Sequence, residues 1–93
     1  MEKFEKTVLD ENVVVAKSLE YYFPEFDLRV RARIYKDETG CIGNLSHYYK
    51  PSEGAGIYYP GLSGHTVAEV EGAIDYYLYN FTNKYDVDEK SGW

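Results

Sequence analysis

The side chains able to do acid–base or nucleophilic chemistry are few: His47 and His65 are the only histidines, with Ser46, Ser63 and Cys41 as conceivable nucleophiles. A hydroxyl or thiol attacks when a neighbouring base takes its proton and fixed donors stabilise the charge that develops on the substrate. Neither serine stands in a frame that supplies these. Gly61-Leu62-Ser63-Gly64 departs from the G-x-S-x-G elbow, and Gly54-Ala55-Gly56 is neither a phosphate-binding loop nor a dinucleotide fingerprint. His65, just before Thr66, is expected at the start of a helix, and His47 on a strand face. Two histidines with scattered carboxylates lack metal-ligand spacing, and a lone cysteine excludes both an intrachain disulfide and a multi-thiolate zinc site. No catalytic residue, metal or cofactor is therefore expected. The alternative is a small-ligand or nucleotide binder, or a minimal enzyme, built on His47, Ser46 and the arginines Arg29, Arg31 and Arg33.

Those three arginines alternate along one segment, so as a strand they would share one face and could grip phosphate or another anion. The same face could equally pair with carboxylates on neighbouring strands. The overall net charge of −6 argues against nucleic acid as the partner.

Two other groups of side chains point to binding. Eleven tyrosines occur, and Tyr21-Tyr22, Tyr48-Tyr49, Tyr58-Tyr59 and Tyr76-Tyr77 are adjacent pairs. Neighbours on a strand point to opposite faces, and neighbours on a helix diverge by about 100°, so one ring of each pair tends to stay in solvent. Exposed tyrosine offers large area and a polar tip at low entropic cost, which is why it concentrates at binding hot spots. The plainer use is amphipathic packing around the rim of a small domain. The acids form the second group. Residues 1–50 carry nine acids against eight bases, whereas residues 51–93 carry seven acids against Lys84 and Lys90, a net −5 in the second half. Glu71 and Asp75 stand one helical turn apart, and Asp86, Asp88 and Glu89 extend the acidic run. Such a field speeds encounter with basic proteins. Tyr58, Tyr59, Tyr76 and Tyr79, with Glu71 and Asp75, are the expected partner-binding residues.

These side chains need elements to hold them. Val8, Val15, Leu19 and Tyr22 recur at helical spacing and Pro24 supplies a stop, so a helix is expected over residues 10–22. The β-branched run Val13-Val14-Val15 leaves an alternative, a hairpin turning at Asp10-Glu11-Asn12. From Leu28 the period becomes two, Leu28, Val30, Ala32 and Ile34 facing one way and Arg29, Arg31, Arg33 and Tyr35 the other. Asp37-Glu38-Thr39-Gly40 predicts a turn, Cys41 to Lys50 a second strand, and Ile57-Tyr58-Tyr59 a third. Thr66-Val67-Ala68-Glu69 fits a capping box, and Val67, Val70, Ile74, Tyr77, Leu78 and Phe81 predict a helix to about Phe81. The expected fold is α+β: a two-layer sandwich of a three-stranded antiparallel sheet flanked by N- and C-terminal helices, α-β-β-β-α. Double-stranded-RNA-binding domains have a similar order, but their last helix starts with basic residues, where this one carries Glu69 and Glu71.

The stretch Tyr59-Pro60-Gly61-Leu62-Ser63-Gly64, followed by Thr66-Val67-Ala68-Glu69-Val70 and Ala73-Ile74-Asp75-Tyr76-Tyr77-Leu78, resembles the strand-to-helix corner of HicB-type antitoxins. It departs from that pattern in its shorter loop before the Thr, in lacking a Cys after the Gly, and in lacking a DNA-binding extension. The resemblance implies a sheet-then-helix corner and accords with a small acidic inhibitor.

At 93 residues the chain has room for one core, so residues 1–93 are expected to form a single domain with a short polar, acidic tail from about residue 85. The longest apolar run, Val13-Val14-Val15-Ala16, is far below membrane-spanning length, and the N-terminus lacks an apolar signal core, so a cytoplasmic location is expected. The expected function is that of a protein-interaction module, an inhibitor of the immunity, anti-defence (such as anti-CRISPR) or antitoxin kind. Its partner would be a basic or nucleic-acid-binding protein rather than nucleic acid or membrane.

Overall fold

Alternation with a period of two governs more of the chain than the spacing of its valines suggests. In the computed structural model, which describes residues 3–10, 15–25, 27–51, 61–81 and 85–89, β1 (Glu5–Leu9) and β2 (Lys17–Phe23) pair antiparallel, Glu5 opposite Tyr22 and Leu9 opposite Ser18. This corrects the expected N-terminal helix; the hairpin alternative is the arrangement formed, with residues 11–14 outside those described. A helix would have gathered Val15, Leu19 and Tyr22 on one face. The fully buried residues of β2 are instead Leu19, Tyr21 and Phe23, two apart, while Val8 is 63% exposed. Aromatic and aliphatic side chains so spaced fit a pleated surface, and β3 supplies the neighbouring pleat.

β3 (Leu28–Asp37) pairs along its length with β2 and buries Val30, Ala32 and Ile34 as expected. Between the two strands Asp27 takes a φ of 49°, a left-handed conformation that aspartate tolerates, and its carboxylate accepts a 3.0 Å hydrogen bond from the Tyr22 hydroxyl. At the far end Asp37 Oδ1 accepts from Thr39 N (2.8 Å), Thr39 Oγ1 (2.7 Å) and Gly40 N (3.1 Å). Gly40, at φ 146°, completes the expected turn into β4 (Gly40–Leu45).

The expected second strand, residues 41–50, is two strands. The break falls at Ser46, where Ser46 N donates to Arg31 O and Arg31 N donates to Ser46 Oγ, both at 2.8 Å. A side-chain oxygen thus stands in for a ladder carbonyl and lets the chain turn out of the sheet. β5 (His47–Pro51) leaves to pair with β7 (Tyr85–Glu89), which lies in the segment read as a polar tail. β6 (Ser63–Gly64) takes the vacated edge of β4. The main sheet is therefore five-stranded and antiparallel, in the order β1-β2-β3-β4-β6, where three strands were expected. The expected strand at Ile57-Tyr58-Tyr59 lies outside the described residues.

α1 (Val67–Tyr79) is the single helix among the described residues, which replaces the α-β-β-β-α order with a sheet carrying one helix. Thr66 is its N-cap and accepts from Glu69 N at 3.1 Å, while Glu69 Oε2 accepts from His65 N at 3.1 Å, one residue earlier than a standard capping box. Val70, Ile74, Tyr77 and Leu78 face the sheet, and Phe81 follows them into the core. Each fully buried aliphatic side chain of this set contributes about 1.5–3 kcal/mol. Gly43 allows the close approach: a Cβ there would stand 2.9 Å from Val70 Cγ1 and 3.0 Å from Ile74 Cδ1. The core closes with rings in contact, Phe23 stacked on Phe81 at 5.5 Å and Tyr77 edge-on to both Phe81 (5.6 Å) and Tyr48 (6.3 Å). No helix among the described residues is long and apolar enough to cross a membrane.

Candidate functional site

The acids expected to face a partner lie against the protein's own N-terminal strands. Alternation in β2 turns Lys17 and Tyr21 to the helix side of the sheet, and pairing brings Lys6 opposite Tyr21. Lys6 Nζ lies 2.7 Å from Glu71 Oε2 and 2.9 Å from Asp75 Oδ2; Lys17 Nζ lies 2.6 Å from Glu71 Oε1. The Tyr21 hydroxyl donates to Asp75 Oδ1 at 2.6 Å. The Glu71 side chain keeps 16% of its surface exposed and Asp75 35%. Burial works to raise the Glu71 carboxyl, but hydrogen bonds from Lys17 and Lys6 outweigh it and hold the group below the usual carboxylate range. Burial likewise works to lower Lys6, yet its bonds to Glu71 and Asp75 leave it above the usual ammonium value. Burial, with the bond to Asp75, pushes the Tyr21 phenol strongly up. This network ties α1 to β1 and β2. The acids were legible in sequence; Lys6, Lys17 and Tyr21 were not, because their meeting depends on β2 being a strand.

Tyr76 and Tyr79 project from α1 into solvent, 76% and 64% exposed. Lys3 Nζ stands 5.8 Å from the centre of the Tyr79 ring, and Asn80 Nδ2 donates to Tyr76 O at 2.8 Å. Gly72, one turn before Tyr76, has open space where a Cβ would stand. Tyr58 and Tyr59 lie outside the described residues. Of the six expected partner-binding residues, the structure thus describes four, all on α1: the carboxylates are engaged by the N-terminal strands, the phenols reach solvent, and Asp75 and Tyr79 stand one turn apart.

Arg29, Arg31 and Arg33 share the sheet face turned away from α1, as their alternation predicts. Arg29 packs over the Tyr22 ring with its guanidinium carbon 4.5 Å from the ring centre, Arg31 stands opposite Glu20, and Arg33 lies between Ser18 and Asn44. An acid and an aromatic side chain therefore interleave with the stripe.

Ser46 Oγ and His47 Nδ1 are 2.8 Å apart, a contact that could suggest an activated hydroxyl. The same Oγ accepts from Arg31 N and belongs to a residue only 8% exposed. Its position is set by the strand break. His65, exposed, serves the helix start through its backbone: its N–H donates to Glu69, and its carbonyl accepts from the buried Cys41 thiol at 3.9 Å. Among the described residues no group of three or more His, Cys, Asp or Glu side chains could hold a metal ion. An open cleft of about 370 Å³ lies beside the β4–β6 edge, lined by Asp37, Thr39, Cys41, Ile42, Ser63 and His65.

No protein-family model, curated protein or solved structure matches this chain.

Proposed function

We propose that this protein is a small interaction module that inhibits a basic or nucleic-acid-binding protein by covering its working surface, as immunity, anti-defence and antitoxin proteins do. The observation that carries the reading is the pair Tyr76 and Tyr79, 76% and 64% exposed on a helix whose other side is core. Rings left in water on a rigid element offer area, a hydrogen-bonding tip and little entropy to lose. Gly72 leaves room beside them for a partner's side chain.

Steering and holding are then done by different residues. Glu71 and Asp75 are neutralised within the fold by Lys6 and Lys17, so they add little to the outward field. That field comes from the chain's remaining excess of acids. A basic partner is drawn in by this charge and retained by the tyrosines.

The test is affinity capture from host lysate at low and high salt, comparing the wild-type protein with the double variant Tyr76→Ala, Tyr79→Ala, followed by calorimetric titration of the purified captured protein. A stoichiometric basic protein, bound by the wild type and lost by a variant of unchanged melting temperature, supports the reading. Equal binding by the variant removes the tyrosine face from it. Absence of any partner at either salt moves the weight to a ligand-binding role for His47 and the arginine stripe.

A further inference from the structure

We infer that β1 is a separable strap latched by the Lys6 ammonium, whose release uncovers the edge of β2 while the β2-β3-β4-β6 sheet and α1 stay folded. This inference does not depend on what binds the tyrosine face.

β1 contributes little to the core. Glu5, Lys6, Thr7 and Val8 are exposed and Leu9 is half-buried, whereas β2 buries Leu19, Tyr21 and Phe23 completely. Besides its ladder to β2, the segment is held by Phe4, edge-on to Tyr21 (5.0 Å) and Phe23 (5.6 Å), by Lys3 over Tyr79, and by Lys6. Lys6 is the directional contact to another element, bridging Glu71 and Asp75 of α1.

The latch is built so that its release leaves neither carboxylate without a partner. Glu71 keeps Lys17 of β2 at 2.6 Å, and Asp75 keeps the Tyr21 hydroxyl of β2 at 2.6 Å. Removing a partner is costly mainly when it strands a desolvated charge, and here β2 retains a donor for each acid. The groups facing the latch are therefore Lys6 from β1, Lys17 and Tyr21 from β2, and Glu71 and Asp75 from α1. Protonating Glu71 or replacing the ammonium loosens β1 first, since the buried side chains of β2 hold that strand independently. The uncovered β2 edge presents a row of backbone donors and acceptors able to accept an added strand.

Amide hydrogen exchange followed by NMR tests this on the full chain. In Lys6→Gln, protection of the β1 amides should fall about threefold to fivefold, the effect of losing an exposed ion pair, with β3 and α1 unchanged. In the wild type, lowering the pH from neutrality to about 2, below the usual carboxylate range, with intrinsic exchange rates corrected, should loosen β1 in the same selective way as Glu71 takes up its proton. Loss of β1 and β3 protection together in either experiment, or no change in β1 in both, overturns the proposal. If Lys6→Gln does not fold, the wild-type pH series decides by the same criterion.

Discussion

Two glycines of this chain illustrate how much a single Cβ depends on its surroundings. At Gly43 the added atom would meet Val70 at 2.9 Å, Ile74 at 3.0 Å and Leu62 at 3.3 Å, so the helix would have to lift from the sheet or its side chains leave their rotamers. Gly43→Ala should therefore cost about 1–3 kcal/mol, measured as a lower urea midpoint at unchanged slope. Gly72 sits on the open side of the same helix with nothing near its Cβ position. Gly72→Ala should raise stability by about 0.5–1 kcal/mol, because alanine loses less backbone entropy in a helix. Opposite signs from the same substitution would confirm which side of α1 meets the sheet. A shared sign would show that its packing differs from that described.

At the scale of the element, α1 is held at its start and along its flank. Thr66 caps it through the bond to Glu69 N, so Thr66→Ala should cost about 1 kcal/mol by denaturant unfolding while leaving the helical circular dichroism of the folded state unchanged. Along the flank, the network with β1 and β2 makes stability depend on pH at both ends of the range. The Glu71 carboxyl is depressed in the folded state, so its contribution is present above the unfolded carboxylate value and is lost as pH falls through the folded one. The Lys6 ammonium is raised, so its contribution is complete below the unfolded lysine value and is lost as pH rises through the folded one. Unfolding free energy should therefore be flat near neutrality and decline on both sides. Lys6→Gln should lower the plateau by about 0.5–1 kcal/mol, the scale of an exposed ion pair, and weaken the alkaline decline. A plateau and alkaline arm identical to wild type would mean that Lys6 holds nothing.

At the scale of the whole molecule, the proposed function gives the net charge of −6 a role in encounter with a partner rather than in the fold. With the helix acids paired internally, the long-range field and the short-range tyrosine contact are separable. Raising ionic strength from about 0.05 to about 0.5 M should slow association with a basic partner by about tenfold or more, with dissociation changed by less than about twofold. Tyr76→Ala with Tyr79→Ala should do the reverse, accelerating dissociation and leaving the salt slope of association intact. Stopped-flow or surface-binding kinetics separates the two. A salt-sensitive dissociation rate would mean that charged groups, rather than the rings, hold the complex.

Much of this arrangement is written locally. The alternation from Leu28 to Tyr35 places the arginines on one face, Asp37 to Gly40 carries its turn in its own side chain and glycine, and the apolar spacing from Val67 to Phe81 with Thr66 in front makes α1. In each case neighbours in sequence supply the interactions that decide the conformation. The N-terminal third is different. Val8, Val15, Leu19 and Tyr22 satisfy a helical period as well as Leu19, Tyr21 and Phe23 satisfy a strand, and the choice falls to partners far along the chain, β3 beside β2 and α1 above it. The fate of the acids follows from that choice. Glu71 and Asp75 are an outward acidic face only while residues 10–22 are thought helical; once β2 is a strand, Lys17 and Tyr21 turn toward α1, β1 brings Lys6 beside them, and the carboxylates are claimed from within. Sequence determined which residues carry charge and which elements form from local period. Tertiary structure decided which charges remain outside, because a side chain's partner is set by which elements pack together, and that is a property of no single segment.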